Sequence, residues 1–125
     1  MSSNKFSLKS RFGSFKFAFH GVWMLLKNEH NSRIHFLAAI AAIATGIVLK
    51  INLFEWSLLI IVIGIVLLTE LLNTSLERLA DVVDSEWNER IMKAKDYAAA
   101  AVLISAIIAV AVGGLIFIPK ILDLF

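Results

Sequence analysis

The stretch that decides the fold is YAAAAVLISAIIAVAVGGLIFI, residues 97–118, which carries no charge and is followed by Pro119 and Lys120. A bilayer core about 30 Å thick is crossed by roughly 20 apolar residues in a helix, at about 1.5 Å per residue. The stretch is long enough for this. Residues 97–118 therefore predict a transmembrane helix that the Pro119-Lys120 pair ends.

Two further apolar segments lie upstream of this helix. Residues 34–50 are rich in alanine and end in a lysine, whereas residues 53–72 contain an uncharged run that meets Glu70 before a final pair of leucines. Both segments are long enough to span a bilayer when their flanking residues are counted. We predict two more transmembrane helices here, which are the first and second spans along the chain. The second span would continue into the cytoplasm as far as about residue 84.

The composition of the whole chain supports a membrane protein. Of its 125 residues, 59% are hydrophobic and 18% are charged, against roughly 45–50% and 25% in soluble domains. So much apolar surface excludes a soluble globular domain and a disordered chain. Cysteine is absent and the net charge is only +2, so we expect no disulfide, no thiolate metal site and no nucleic-acid partner. We treat residues 1–125 as one membrane domain.

Residues 5–30 have the pattern of an amphipathic helix rather than of a signal peptide. Large apolar side chains recur at steps of three or four, with lysines on the opposite side. The apolar positions are Phe12, Phe15, Phe19, Val22, Trp23 and Leu26. Such a helix lies in the headgroup plane of a membrane. The alternative, a core-facing helix of a soluble bundle, is disfavoured because no soluble bundle follows it.

The basic residues predict the orientation. Six Lys and Arg residues precede the first apolar segment and four lie between the second and third, against only Lys50 and Lys120 on the other side. Because Lys and Arg accumulate on the cytoplasmic side, we expect a multi-pass protein of the bacterial cytoplasmic (inner) membrane. Its N terminus would be cytoplasmic and its C terminus outside.

Small residues recur every four positions in two of the spans. This spacing lets helix backbones approach closely in lipid. The positions are Ala38, Ala42 and Gly46 in the first span, and Ala101, Ser105, Ala109 and Gly113 in the last. Since three helices enclose a poor pocket alone, we expect an oligomer.

Polar side chains follow the second span on one helical stripe. The stripe consists of Glu70, Asn73, Thr74, Glu77, Asp81 and Asp84. A carboxylate inside an apolar run is costly and marks a functional site more often than an accident. The alternative is that Glu70 only marks the end of the span. With several polar residues on its face, we favour a polar site at the cytoplasmic interface.

Clustered carboxylates favour the binding of a hard cation. Mg²⁺ binds one or two carboxylates together with water and substrate phosphates, so Glu77 and Glu29 are candidate ligands. Lys95 could hold a phosphate, although it could also be an ordinary flanking cation. No Walker-type glycine loop, dinucleotide fingerprint or HExxH motif occurs. From the residues alone, the reaction stays open.

Glu70-x-x-Asn73-Thr74-x-x-Glu77, followed by Ala94-Lys95-Asp96, resembles the signature of the prokaryotic diacylglycerol kinase family, which includes undecaprenol kinases. The similarity runs from the amphipathic start to the end of the third span. It implies a homotrimer whose chains each have three transmembrane helices and an N-terminal surface helix. It also implies transfer of the γ-phosphate of Mg-ATP to the hydroxyl of a membrane lipid, at a site built between protomers.

The resemblance also implies roles for individual residues. Glu70 would be the general base on the lipid hydroxyl, and Glu29 and Glu77 would hold Mg²⁺ with the ATP phosphates. The nucleotide would be contacted by Glu86, Lys95 and Asp96, and the supporting residues would be Arg33, Asn73 and Asp81. Trp87-Asn88 and Ala100 depart from the pattern of the family.

The resemblance favours undecaprenol over diacylglycerol as the acceptor lipid. Residues 31–35, NSRIH, and residues 114–120, GLIFIPK, look more like the undecaprenol kinase branch. Two other classes of function compete with a lipid kinase: a non-catalytic or cation-binding membrane scaffold, and a small ion channel. The channel is disfavoured because the outer halves of the spans are almost wholly apolar, and the scaffold because it needs no Ala-Lys-Asp motif.

Overall fold

The computed structural model describes residues 6–125, and in this range all the regular secondary structure is helical, with no strand. The four helices are α1 (Leu8–Asn28), α2 (His30–Val48), α3 (Leu53–Val83) and α4 (Glu89–Leu122). Three of them, α2 to α4, are long and apolar enough to cross a membrane. The prediction of an all-α protein with three helices able to span a membrane is confirmed. Residue 5, where the sequence placed the start of the first helix, lies outside the described residues.

A single extended residue separates α1 from α2. Glu29 has φ −108° and ψ 111°, so it ends one helix and begins the next. Arg33 stabilises this bend because its guanidinium donates to the carbonyls of Leu26 and Lys27, which have no partner within α1. The aromatic side chains of α1, such as Phe12 and Phe15, are exposed on the single chain, and its membrane-surface location stays a prediction.

The turn between α2 and α3 is tight and well capped. Asn52 accepts a hydrogen bond from the Glu55 amide, and the Glu55 side chain accepts one from the Asn52 amide, which satisfies two donors that the helix leaves free. Ile51 is buried in this turn and packs with Leu59 and Ile116 in the small hydrophobic core. The core thus lies at the end of the molecule opposite to the polar stripe.

Three polar contacts at different heights join α3 to α4. Near one end, Lys120 pairs with Glu55 at 3.1 Å. Midway, the hydroxyl groups of Thr69 and Ser105 lie 2.9 Å apart. At the other end, Lys95 Nζ donates to Asp81 Oδ1 at 2.8 Å. These contacts fix the register of the two longest helices.

The helix α4 does not end at Pro119, as the sequence predicted, but continues to Leu122. Proline removes only one N–H from the helix, and its own carbonyl still accepts a hydrogen bond from the amide of Asp123. Lys120 lies in the same turn and pairs with Glu55. This contact holds the last turn against α3 and offsets the missing hydrogen bond.

Few large side chains are buried within one chain. Among residues 6–125, the buried hydrophobic residues are Leu25, Ile51, Leu59, Val62 and Ile116. Most of the leucine, isoleucine and valine side chains of the spans therefore face outward, where lipid or further copies of the chain can cover them.

We expect Gly46→Ala to lower the melting temperature and Gly64→Ala to raise it. A Cβ at Gly46 would lie 3.0 Å from both Ile51 Cδ1 and the Trp56 ring, whereas one at Gly64 meets nothing within 4 Å. Alanine favours a helix by about 1 kcal/mol over glycine, but overpacking costs about 1–3 kcal/mol. Thermal unfolding in detergent measures both variants. Equal shifts would show that the tight α2–α3 turn is not constrained at Gly46.

Candidate active site

Glu70 is the buried carboxylate at the centre of the candidate site. Only 7% of its side chain is exposed, although it lies within the apolar part of α3. Ser32, on the first turn of α2, donates a hydrogen bond from its hydroxyl to Glu70 Oε2 at 3.1 Å. Burying a carboxylate without such a donor costs several kcal/mol. The packing of α2 against α3 therefore supplies the hydrogen-bond donor that the buried carboxylate of Glu70 requires.

The second carboxylate oxygen of Glu70 faces a histidine. His35 Nδ1 lies 2.5 Å from Glu70 Oε1, which is an ion-pair distance when the imidazole is protonated. The ring nitrogen and the oxygen are not aligned as a hydrogen bond, so the two buried atoms are in close contact without one. Ser32 and His35 are three residues apart and lie on one face of α2. Each oxygen of Glu70 thus meets a side chain of the same helix.

The polar stripe of α3 divides between two neighbouring surfaces. Glu70 contacts α2, and Thr74, one turn later, lines the groove beside α1. Asp81 instead contacts Lys95 on α4. The stripe was predicted to point at one place, but α3 lies between the other helices at this height. Its polar residues consequently line both sides of the helix.

A groove of about 420 Å³ lies between α1 and α3 beside Glu29. At its polar end, Arg78 Nη2 donates to Glu29 Oε1 at 2.9 Å. The remainder of the wall is mostly apolar. The groove is lined by Gly21, Met24, Leu25, Asn28, Glu29, Leu71, Thr74, Ser75 and Arg78. It combines an apolar wall with a charged rim, as an amphipathic ligand requires.

On the opposite side of α3, a second polar region faces α4. The hydrogen bond to Asp81 raises the pKa of Lys95, and the negative charges of Asp81 and Glu77 add to the rise. Lys95 precedes the apolar part of α4, so its raised pKa places a cation near the end of the span. Asn73 lines a cavity of about 360 Å³ between the two helices, and its Oδ1 is buried without a partner.

The other predicted residues are more peripheral in the single chain. Asp96 and Glu86 are exposed, and the Glu86 amide donates to Asp84 Oδ1 in the α3–α4 loop. Arg33 binds the backbone of α1. The geometry thus brings Glu70 to one side of α3 and Lys95 to the other, with neither Asp96 nor Glu86 in contact with Glu70.

The residues present offer oxygen donors for a hard cation. The unpaired Oδ1 of Asn73 lies one turn from Glu77 on α3, and such oxygens suit Mg²⁺. Between residues 6 and 125, however, no three His, Cys, Asp or Glu side chains are grouped closely enough to hold a metal ion. A Mg²⁺ ion would therefore need phosphate oxygens, water or a second chain to complete its coordination.

Comparison with known proteins identifies the family. Residues 16–117 match the sequence model of a family described as prokaryotic diacylglycerol kinase. The chain belongs to this family of lipid kinases. The match covers all of α2 and α3 and most of α1 and α4, so it includes Glu70, His35 and Lys95.

Named relatives of this kinase family are similar in sequence to most of the chain. An undecaprenol kinase from Bacillus subtilis is 36% identical over 109 residues, covering 87% of this chain and 89% of the relative. A diacylglycerol kinase from Synechocystis is 38% identical over 112 residues, covering 89% of this chain and 64% of the relative. A diacylglycerol kinase from Escherichia coli is 35% identical over 83 residues, covering 66% and 68%.

Sequence reasoning did not single out three residues that the structure places in the candidate site. Ser32 and His35 bind Glu70, and Arg78 binds Glu29. A signal for the first pair exists, because Ser32 and His35 are polar residues at helical spacing near the start of an apolar span. Arg78 directly follows Glu77, but only the packing of α1 beside α3 shows where it points.

We expect Arg78→Ala to loosen the end of α1. The Glu29–Arg78 pair is partly exposed and worth about 0.2–1 kcal/mol, so amide exchange in the last turn of α1 should rise by up to about fivefold. Lys93→Ala is the control because it removes an exposed pair with Glu89 within α4. Unchanged exchange in Arg78→Ala, measured by hydrogen–deuterium exchange, would show that this pair does not hold α1.

Proposed function

We propose that the chain transfers the γ-phosphate of ATP to the hydroxyl of a membrane lipid alcohol. The observation that carries this proposal is the buried Glu70 carboxylate, held by Ser32 and His35 near the end of the apolar part of α3. A base at this height can reach a hydroxyl at the lipid headgroup. Membership of a lipid kinase family supplies the class of reaction.

Glu70 would act as the general base in an in-line displacement. It accepts the hydroxyl proton of the lipid while the hydroxyl oxygen forms a bond to the γ-phosphorus. The bond between that phosphorus and the bridging oxygen of ADP breaks, so the products are the lipid phosphate, ADP and one proton. Such a transfer depends mainly on positioning and charge neutralisation and needs no covalent intermediate.

The nucleotide would lie at the ends of α3 and α4 that carry the remaining polar residues. Lys95 is held as a cation by Asp81 and can bind phosphate oxygens, with Asp96 and Glu86 as further nucleotide contacts. Glu29 and Glu77 would hold Mg²⁺, which neutralises phosphate charge when bound. Asn73 offers an unpaired buried oxygen one helical turn from Glu77. Asp81 and Arg33 would hold the site in place through their contacts with Lys95 and α1.

Undecaprenol is our proposed acceptor in preference to diacylglycerol. The Bacillus relative carries the name of an undecaprenol kinase and aligns over 89% of its length. The NSRIH segment at residues 31–35 includes Ser32 and His35, the two partners of Glu70. Phosphorylation of either lipid would return it to lipid-carrier or phospholipid synthesis.

We further propose a homotrimer with its N terminus in the cytoplasm. The basic residues favour this orientation. Space for a neighbouring helix supports the assembly, since a Cβ at Gly113 would meet nothing within 4 Å of the same chain. A second chain packed against Gly113 of α4 could also bring the Glu70 side of one α3 helix close to the Lys95 side of its neighbour. The surface helix α1 would lie along the headgroups.

We expect Glu70→Gln to lower turnover by at least about 100-fold while leaving ATP binding within about twofold. The substitution removes a proton acceptor but keeps the shape of the side chain, and general base catalysis is worth about 10²–10⁴-fold. Radiolabelled ATP, Mg²⁺ and mixed micelles of undecaprenol or diacylglycerol measure the transfer. Glu89→Gln, at an exposed position of α4, is the matched control.

The outcomes separate the parts of this proposal. Label in undecaprenol with an inactive Glu70→Gln variant supports both the reaction and the acceptor. Full activity of Glu70→Gln would remove this residue from the role of base. No label in either lipid, from folded and oligomeric protein, would replace the kinase by a non-catalytic membrane scaffold.

A further inference from the structure

We infer that His35 is a positioning residue that fixes the orientation of the Glu70 carboxylate. This inference rests on the proposed function, because it gives Glu70 a partner for its role as base. The imidazole contacts Oε1 at 2.5 Å, on the side of the carboxylate opposite to the Ser32 hydrogen bond.

The burial of Glu70 makes such a partner necessary. With 7% of its side chain exposed, the carboxylate loses most of its hydration, and its charge is penalised accordingly. Ser32 offers one hydroxyl, at 3.1 Å from Oε2. Within residues 6–125, Ser32 and His35 are the polar side chains that bond or pair with Glu70. His35 is consequently the partner that remains for Oε1.

The exposure of His35 suits this role. Its side chain is 30% exposed, so one ring nitrogen can face Glu70 while the rest of the ring reaches solvent or headgroups. The arrangement places the carboxylate of Glu70 inside and its second partner at the edge, where the ring loses less of its own hydration.

Both partners of Glu70 come from the same helix, which fixes the orientation of its carboxylate group. Ser32 and His35 lie one turn apart on α2, so this helix contacts both carboxylate oxygens. Each oxygen keeps a further lone pair, which leaves room to accept the proton of a lipid hydroxyl. A shift of about 1 Å in such a group can cost about 10²-fold in rate. The loss of His35 should therefore act on turnover more than on nucleotide binding.

The test compares His35→Leu with His35→Asn in the full-length protein. We expect His35→Leu to lower kcat for lipid phosphorylation by about 10–100-fold with the KM for ATP unchanged within about twofold. Asparagine places an amide N–H near the position of Nδ1, and His35→Asn should recover much of the lost kcat. His20→Asn is the matched control, since His20 is an exposed residue of α1.

Three results would decide the matter. Restoration by asparagine but not by leucine, at equal melting temperatures, supports the positioning role. A His35→Leu variant with the kcat of the unchanged chain would overturn it, as would equal losses in both variants. Failure of the proposed function looks different, because the unchanged chain would then phosphorylate no lipid, and the inference would fall with it.

Discussion

The charge of one buried carboxylate constrains this structure more than any other interaction. Glu70 lies inside an apolar helix with almost no access to water, where an uncompensated charge costs several kcal/mol. Helix α2 must therefore begin close enough to α3 for Ser32 and His35 to reach both oxygens. The bend at Glu29, stabilised by Arg33, brings the start of α2 to that height.

The remaining contacts hold α3 while α2 grips Glu70. Pairs at Glu55, Thr69 and Asp81 fix α4 along the whole length of α3, so the register between these helices cannot slip without breaking all three. Individually, such pairs contribute little at an exposed surface, but together they place Lys95 at a defined height. A base and a phosphate-binding cation are thereby presented from opposite sides of one helix, an arrangement that a neighbouring copy could complete.

The sequence predicts the spans well because a helix can cross a membrane when a continuous apolar segment is long enough, and the sequence shows that length directly. It also predicts Glu70 as a site residue, since an acid inside an apolar run is costly wherever it occurs. It predicts neither His35 as the partner of Glu70 nor the split of the polar stripe, because both depend on how α1, α2 and α4 pack around α3. The continuation of α4 past Pro119 depends in the same way on a distant contact, Lys120 with Glu55.

The environment of the Glu70 carboxylate tests the central claim most directly. Infrared difference spectra of protein with ¹³C-labelled glutamate, recorded against Glu70→Gln, isolate the signal of this side chain. The account predicts that the carboxylate stretching bands of Glu70 move in both Ser32→Ala and His35→Leu, because each variant removes the contact of one carboxylate oxygen. Bands that stay unchanged in both variants would contradict it, because α2 would then not hold this side chain.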